Sequence, residues 1–366
     1  MSAADLGKRL LAEVDEVGFD ELLNTLRLHD GHVQESFGIS QLYSFLQCIR
    51  ETQTATSQVQ GSSPIIEITS QRPCSGKTTL LYQMVVTAVL PFHLGGRQTA
   101  IIFLDTDNHF SATRLAQQMR KTIVMHIKED FVDEGSLSQV VDESLKHVHV
   151  VRPQSLSALI TTINDLPNYL FNPTKHKSFD RAISFITLDS ASAFYWQSRA
   201  DTENAALHAS FKMKDSATKV QQQSAGYNQL AASLKNASRI LSAPVIYTTR
   251  DFNPPQKTSG GGHTSAFFMS ESHSIRPSLP PPWPNLSTLR LIVRRAPIRS
   301  LPVEVTVEDA TRETEMRQKV IAQGKFECFV NEWGLSERSL QNLQEKGNMF
   351  DFFISTQGIQ IGDGPE

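Results

Sequence analysis

The chain has 366 residues, enough for roughly two domains of about 150 residues or one large domain with insertions, and 39% of them are hydrophobic. Its 35 Lys and Arg against 38 Asp and Glu leave a formal charge of -3, which excludes a net-basic DNA-coating protein but not a local basic surface. Three dispersed cysteines exclude a zinc ribbon and a disulfide framework, and the charged N-terminus excludes a secretory signal, so we expect a soluble intracellular protein.

Residues 1–60 are expected to form a helical segment with a linker. Apolar residues recur at helical spacing in two stripes: Leu10, Leu11, Val14, Val17 and Phe19, and then Leu42, Phe45 and Leu46. Residues 52–64 are polar and end in Gly, Ser and Pro, which is typical of a connector. Two isolated helices cannot bury such stripes, so the stripes either dock on a neighbouring subunit or fold back on the core of the same chain.

Strands and helices alternate from residue 64 to residue 250. Short apolar runs predict strands at 65–68, 100–104, 148–151, 183–188 and 244–247. Helical patterns separate them at 77–90, which Pro91 ends, from Ser111 as an N-cap onwards, at 155–171 and at 222–242. The alternation predicts an α/β fold with a mostly parallel sheet covered by helices on both faces.

The pattern changes twice in the C-terminal part of the chain. Residues 251–285 hold seven of the 17 prolines and a glycine triplet at 260–262, which predicts a long mobile loop. Strand-like runs follow at 289–293, 303–307, 326–330, 352–354 and 359–361, with little helix between most of them. They predict an antiparallel extension of the same sheet, with a hairpin turn at 356–358.

The strongest local motif is a Ser-Gly-Lys-Thr-Thr run between a predicted strand and a predicted helix. Backbone N–H groups at such a helix start face an anion, the Lys adds a charge, and the first Thr hydroxyl ligates Mg²⁺. We expect a nucleotide to be bound by Cys74, Ser75, Gly76, Lys77, Thr78 and Thr79. The full phosphate-loop pattern needs Gly where Gln71 stands, and Pro73 removes a backbone donor, so a relic loop with poor nucleotide binding is the alternative.

Acidic residues follow two of the predicted strands. Asp189 ends the run FITLD about 110 residues after the loop, and we expect it to bind the nucleotide and, with Thr78, to hold Mg²⁺. Asp105 and Asp107 close the strand after the loop helix, and Asp107 is the candidate to polarise an attacking water. The alternative for each is an acid that caps a turn or is simply solvated.

These motifs, in this order, resemble the ATPase core of the RecA-like recombinases, and most closely a eukaryotic recombinase paralogue. The residues that carry the resemblance are LDTDNHFSATRL at 104–115, LDSASAFYW at 188–196, VIYTTR at 245–250 and FFISTQGIQI at 352–361. The match runs from about residue 61 to 363 with gaps over 197–225, 251–285 and 309–324. It implies a RecA-like P-loop NTPase core over residues 61–366, with mobile insertions at the gaps.

The resemblance implies a nuclear recombination mediator in the repair of DNA double-strand breaks. Its partners would be other RecA-like paralogues in a hetero-oligomer and single-stranded or branched DNA, with ATP and Mg²⁺ as cofactors. Gln71, Asp107 and Arg250 each replace a residue that the family uses to turn over ATP, so hydrolysis is expected to be weak or absent. The alternatives are an active DNA-dependent ATPase that remodels recombinase filaments and, outside the family, an unrelated P-loop kinase.

Three cations are candidate DNA contacts, because the resemblance implies a DNA-binding loop after the predicted strand 244–247. They are Arg250, Lys257 and Arg276, and the same loop holds Phe267, Phe268 and Trp283 as possible stacking surfaces. A solvated insertion would have a similar composition. Two further candidate surfaces are an Arg-rich strand, with Arg290, Arg294, Arg295 and Arg299, and the aromatic triplet 194–196, which is either an interface anchor or core.

Overall fold

A computed structural model of the chain describes residues 37–53, 63–127, 133–210, 218–252, 273–297, 306–356 and 358–362. The strands are β1 Ile65–Thr69, β2 Ala100–Asp105, β3 Val148–Val151, β4 Ile183–Asp189, β5 Val245–Thr248, β6 Leu289–Arg295, β7 Lys325–Val330, β8 Met349–Ser355 and β9 Gly358–Ile361. The helices are α1 Ser40–Gln53, α2 Lys77–Val89, α3 Ala112–Ile127, α4 Glu134–Leu145, α5 Leu156–Leu170, α6 Tyr195–Ser210, α7 Thr218–Leu241, α8 Val307–Ala322 and α9 Glu337–Lys346. No helix within these residues is long and apolar enough to span a bilayer.

The described strands form one mixed sheet in the order β3-β2-β4-β5-β1-β6-β7-β8-β9. The first six strands in that order are parallel, and β7, β8 and β9 continue the sheet in antiparallel pairs. The predicted α/β fold with an antiparallel C-terminal extension is therefore confirmed. Strand β6, which was expected within the antiparallel part, joins the two parts, because it pairs antiparallel with β7 and parallel with β1.

Helices cover both faces of the sheet because its strands are apolar on both sides. In β2, Ile101 and Phe103 belong to one buried cluster, which α2 and α3 cover, whereas Ile102 and Leu104 belong to a second cluster under α5 and α7. This alternation is the period-two pattern of a strand that is buried on both faces. The parallel half of the sheet is thus a rigid base whose carboxyl ends all meet at one edge.

Helix α1 folds back onto the core of its own chain. Its apolar stripe, Leu42, Phe45 and Leu46, is buried, and the Phe45 ring lies 6.2 Å from that of Phe350 in β8. Thr52 and Gln53, expected in the connector, belong to this helix. The stripe is therefore not a surface for a neighbouring subunit, and the first predicted stripe, Leu10 to Phe19, lies outside the described residues.

Several predicted segments contain regular structure that the sequence patterns did not reveal. Helices α6 and α7 cover much of 197–225, and α8 covers much of 309–324. The predicted strand 303–307 is wrong at its last residue, because Val307 begins α8, and 303–305 lie outside the described residues. Helices α4 and α9 were not predicted.

Candidate nucleotide site

The phosphate-loop candidate joins the central strand β1 to the start of α2. Thr69 ends the strand, residues 70–76 form the loop, and the helix begins at Lys77, where the Leu80 N–H donates to the Gly76 carbonyl over 2.9 Å. The first N–H groups of a helix have no intrahelical acceptor and carry the positive end of its dipole. This end of α2 is therefore suited to an anion at the carboxyl edge of the sheet.

Gly76 is required where it stands. Its φ is +91°, and a Cβ added there would lie 3.0 Å from Phe326 Cδ1 and 3.1 Å from Phe352 Cζ. These two rings come from β7 and β8 and stack 5.3 Å apart beneath the loop. The antiparallel extension thus supports the phosphate loop from below, a contact between segments about 250 residues apart.

Lys77 lies inside the loop and not in open solvent. Its ammonium donates to Ser70 Oγ. Burial lowers the pKa of Lys77 to about 8, partly offset by the negative charge of Asp189. The bond to Ser70 holds the ammonium within the loop, where it feels the negative charge of Asp189.

Thr78, Asp189 and Thr248 meet where α2, β4 and β5 converge. Thr78 Oγ1 donates to Asp189 Oδ2 over 3.1 Å, and Thr248 Oγ1 donates to Asp189 Oδ1 over 2.5 Å. Burial raises the pKa of Asp189, whereas the two hydroxyl donors lower it. A hydroxyl and a carboxylate at this spacing are oxygen ligands of the kind that Mg²⁺ prefers, so the residues present fit the ion.

The loop itself also fits a bound phosphate. Ser75 Oγ is buried and has no hydrogen-bond partner among the described residues, which leaves a polar atom that a phosphate oxygen would satisfy. Cys74 is exposed and has a positive φ of 56°. Thr79 faces elsewhere, because its hydroxyl accepts from Arg114 Nη2 over 2.6 Å.

The structure separates the roles of the two acids at the end of β2, Asp105 within the strand and Asp107 after it. Asp105 is buried, accepts the backbone N–H groups of His109 and Phe110 over 3.0 Å each, and pairs with Arg152 Nε at 3.1 Å. It therefore shapes the turn. Asp107 faces the site, where its carboxylate lies 3.4 Å from the guanidinium of Arg250; their side chains are 21% and 63% exposed.

Asp107 and Arg250 thus face each other. Each follows a strand, and each differs from the residue in the family that the sequence resembles. Arg250 is held from its backbone as well, because its N–H donates to Ser192 Oγ over 3.2 Å. This bond ties the end of β5 to the turn after Asp189. The sequence indicated each residue separately, but only the fold shows that they pair.

The structure describes only some of the remaining candidate DNA contacts. Arg276 is exposed, whereas Lys257, Phe267 and Phe268 lie outside the described residues. Trp283 is not available for stacking, because it is 1% exposed and its indole N–H donates to the Tyr227 carbonyl over 3.0 Å. Ile275 and Leu279 are buried too, so the end of the predicted loop belongs to the core.

The expected cationic face on β6 is largely neutralised within the chain. Arg290 pairs with Glu67 at 3.2 Å, and Arg294 pairs with Glu327 at 2.7 Å. Arg295 donates to the Ile321 carbonyl over 3.3 Å, and Arg299 lies outside the described residues. The interpretation of this strand as a surface for phosphates or an acidic partner is therefore replaced by internal ion pairing.

Glu67 is a site residue that the sequence reasoning missed. It lies within β1, is buried, and accepts from Thr249 Oγ1 over 2.8 Å as well as from Arg290. Burial raises its pKa, and the bond from Thr249 and the charge of Arg290 lower it. An acid inside the apolar run IIEIT was the available signal. Glu67 therefore links β1, the strand before the phosphate loop, to Thr249, the residue before Arg250.

The aromatic triplet is divided between core and surface. Phe194 is buried, Tyr195 is half-buried, and Trp196 is 55% exposed. The two alternatives from the sequence, interface and core, therefore apply to different members of the triplet.

Comparisons with known proteins point to one group. No family model matches the chain. The chain is 26% identical to the DNA repair and recombination protein RadA of Methanoculleus marisnigri over 210 residues, which are 53% of this chain and 55% of that protein. It is 29% identical to the mouse DNA repair protein XRCC2 over 145 residues, 38% and 45% of the two chains. It is 22% identical to the Arabidopsis thaliana XRCC2 homolog over 269 residues, which are 63% of this chain and 69% of that protein. The chain spans about half the length of the first curated relatives it matches.

Proposed function

The homologues of this chain are RecA-like recombinases and their paralogues, and from this premise we propose that it is a recombination mediator subunit. It acts in the repair of DNA double-strand breaks by homologous recombination, within a multi-subunit complex, and hydrolyses ATP weakly or not at all. The relatives support the setting, because their names describe DNA repair and recombination proteins. The geometry of the site supports the weak hydrolysis.

One observation carries this proposal. The residues proposed to bind the nucleotide are in contact with one another, whereas Asp107, the acid proposed to activate water, pairs with Arg250. Thr78 and Asp189 lie in contact, and Lys77 is next to them. A general base must come within about 3 Å of the water it activates. Asp107 is one CH₂ shorter than a Glu and is directed to a guanidinium 3.4 Å away. A misplacement of about 1 Å costs roughly a hundredfold in rate.

The proposed cofactors are ATP and Mg²⁺. The loop N–H groups, Ser75 Oγ and Lys77 would hold the phosphates, and Thr78 and Asp189 would hold the ion. Mg²⁺ supplies charge neutralisation between the phosphates when it is bound. The chain itself links this site to the segment after β5. The link is the bond from Thr248, the last residue of β5, to Asp189, and Arg250 follows two residues later.

The proposed partners are other RecA-like paralogues and single-stranded or branched DNA, in the nucleus. Arg250 and Arg276 are exposed on either side of the segment 253–272, in keeping with a DNA contact there. The α1 stripe is not a candidate subunit contact, because it is buried against the core of its own chain.

The second candidate function is a DNA-dependent ATPase that remodels recombinase filaments. It is supported by two contacts among the proposed binding residues, since Lys77 donates to Ser70 within the loop and Thr78 donates to Asp189. It requires that the pair of Asp107 and Arg250 opens when nucleotide and DNA are bound. An exposed ion pair contributes only about 1 kcal/mol or less to stability, so the pair can open at a small cost in free energy.

Two separate measurements distinguish these functions: equilibrium binding of ATP with Mg²⁺, and ATP turnover with and without single-stranded DNA. We expect wild type to bind ATP and to show background turnover in both conditions, and Lys77→Ala to lose the binding. Arg239→Ala, an exposed Arg away from the site, is the matched control and should change neither. Turnover that DNA stimulates and Lys77→Ala abolishes would establish the ATPase instead.

A double variant tests the stated cause of the weak hydrolysis. Asp107→Glu with Arg250→Gln lengthens the acid and removes its cationic partner. Turnover should rise by at least tenfold above wild type. If binding is intact and the variant stays at background, then the Asp107–Arg250 pair is not what limits hydrolysis.

A further inference from the structure

Three aromatic side chains form a surface beside the nucleotide site, and we call Tyr195, Trp196 and Phe252 the aromatic platform. The Tyr195 and Phe252 rings are stacked, with centroids 5.0 Å apart and an interplanar angle of 17°. Trp196 meets both rings edge to face, at 5.1 Å from Tyr195 and 5.3 Å from Phe252. The three residues come from two places in the chain, the start of α6 and the segment after β5.

The platform is held by a buried aromatic base. Tyr195 contacts the buried Tyr227 ring at 6.1 Å, and Tyr227 contacts Trp283 at 5.9 Å. Tyr227 also donates from its hydroxyl to the Ala191 carbonyl over 3.2 Å, which fixes the turn before α6. A contact surface on a rigid support loses little conformational entropy when it binds a ligand.

Cations border the platform. The guanidinium of Arg199 lies 5.5 Å from the centre of the Trp196 ring. Arg250 precedes Phe252 by two residues and is joined through its backbone to Ser192 in the turn before Tyr195. The acidic partners of the two Arg residues, Glu203 and Asp107, form exposed or partly exposed pairs with them. Because exposed pairs are weak, a phosphate group can replace the carboxylate.

We propose that the aromatic platform stacks unpaired nucleobases of a single-stranded nucleic acid, with Trp196 as the outer stacking face and Arg199 and Arg250 beside the backbone phosphates. This inference rests on the proposed DNA binding and names the residues and the part of the nucleic acid that they recognise. Every base has a flat π face, so stacking is tolerant of sequence, and cations that follow the backbone complete such a site. Bases in a duplex are already stacked on one another and are not accessible to Trp196.

The test measures the affinity of the full chain, alone or in the complex in which it is purified, for two oligonucleotides of equal length. One is oligo-dT and the other is an abasic strand that carries the same phosphates without bases. Trp196→Ala should weaken oligo-dT binding about tenfold, because one stacked base contributes on that scale, and should leave the weaker abasic binding unchanged. Trp196→Phe should recover most of the affinity. Phe171→Ala is the matched control, since Phe171 is 64% exposed at the C-terminal end of α5, where the helix returns to the opposite edge of the sheet.

A second readout does not depend on how tightly the variants bind. Of the three tryptophans, Trp283 is buried and Trp333 is half-buried against the Arg290 guanidinium. Quenching of tryptophan fluorescence by oligo-dT should therefore be lost in Trp196→Phe and should persist in Trp333→Phe. If Trp196→Ala binds oligo-dT as wild type does, or if both oligonucleotides bind equally, the platform proposal is wrong while DNA binding stands. If no oligonucleotide binds, both the platform proposal and the proposed DNA contact are wrong. If Trp196→Ala keeps its oligonucleotide affinity and loses a copurified recombinase paralogue, the platform is a protein interface and the stacking role is overturned.

Discussion

Acid should destabilise this chain through a histidine cluster at the edge of the sheet, where His149 is held uncharged. His149 lies on the edge strand β3 and is 7% exposed. Its Nδ1 lies 3.0 Å from the Tyr169 hydroxyl, and its Nε2 lies 2.9 Å from Ser178 Oγ, so both ring nitrogens are engaged. Burial first, and then the neighbouring His176 and His147, lower the pKa of His149 from 6.5 to about 4.

The size of the effect follows from these two pKa values. Between pH 6.5 and about 4, the unfolded chain binds a proton at this residue and the folded chain does not, so the free energy of unfolding falls as the pH falls. The two pKa values, 6.5 and about 4, correspond to a loss of at most about 3.4 kcal/mol below pH 4 and of roughly 2 kcal/mol between pH 7 and pH 5, which is a large share of the stability of a typical domain. Burial, followed by Arg181, lowers the pKa of His147 as well, so that residue acts in the same direction, although Asp180 and Glu143 oppose the shift.

Urea unfolding at pH 7, 6 and 5 measures this loss. His149→Gln removes the titrating group, so the variant should be less stable at pH 7 but should lose less stability on acidification than wild type does. His93→Gln is the matched control, because the His93 side chain is exposed, and it should keep the full acid sensitivity. An unfolding free energy that falls equally with pH in His149→Gln and wild type would refute the reasoning.

Three further substitutions test the site and the core. Repair-deficient cells that express Lys77→Ala, which should not bind ATP, are expected to survive crosslinking damage nearly as well as cells with wild type; a stable variant that fails to rescue would show that function depends on bound ATP, whether or not it is hydrolysed. Trp283→Ala should cost about 3–5 kcal/mol in urea unfolding, because it empties a buried site; a loss below about 1 kcal/mol would place Trp283 outside the core. Gly76→Ala should lower the unfolding free energy by about 1–3 kcal/mol and weaken ATP binding, since φ is +91° and Phe326 crowds the new Cβ. Gly334→Ala, with a φ of +76° and open space around it, isolates the backbone strain and should cost less.

The parallel half of the sheet could be predicted because its strands are buried on both faces and therefore read as continuous apolar runs. Helix α9 could not, since it is polar along most of its length and buries little more than Leu343. The Ser336 N-cap was a local signal for its start, but the 2.8 Å bond between Ser339 and Thr52 of α1 joins residues 287 positions apart, which no local pattern contains. Helix α8 lies in a segment that was predicted as an insertion from the gap in the family resemblance, and its helical structure was not predicted.

For the site, the residues that follow strands were predictable, because parallel strands bring their carboxyl ends together. The pairing of Glu67 with Arg290 was not, since it joins residues 223 positions apart, and without it Arg290 was interpreted as a free cation. Trp283 was misplaced for a similar reason. Its proline-rich neighbourhood is typical of a loop, and only the tertiary contact with Tyr227 shows that the loop ends in the core.

The position of β1 in the sheet has a consequence for how the chain is made. It is the first described strand to be synthesised, yet its neighbours are β5 and β6, and the bonds from Tyr247 and Arg290 to Glu67 cross 180 and 223 residues. At about 5–20 residues per second, β1 leaves the ribosome more than roughly ten seconds before β6. Both of its edges are open to wrong pairing during that delay. A message that stops before residue 289 would therefore encode every residue of the phosphate loop and still yield no phosphate site, since β6 and the aromatic rings beneath Gly76 would never arrive.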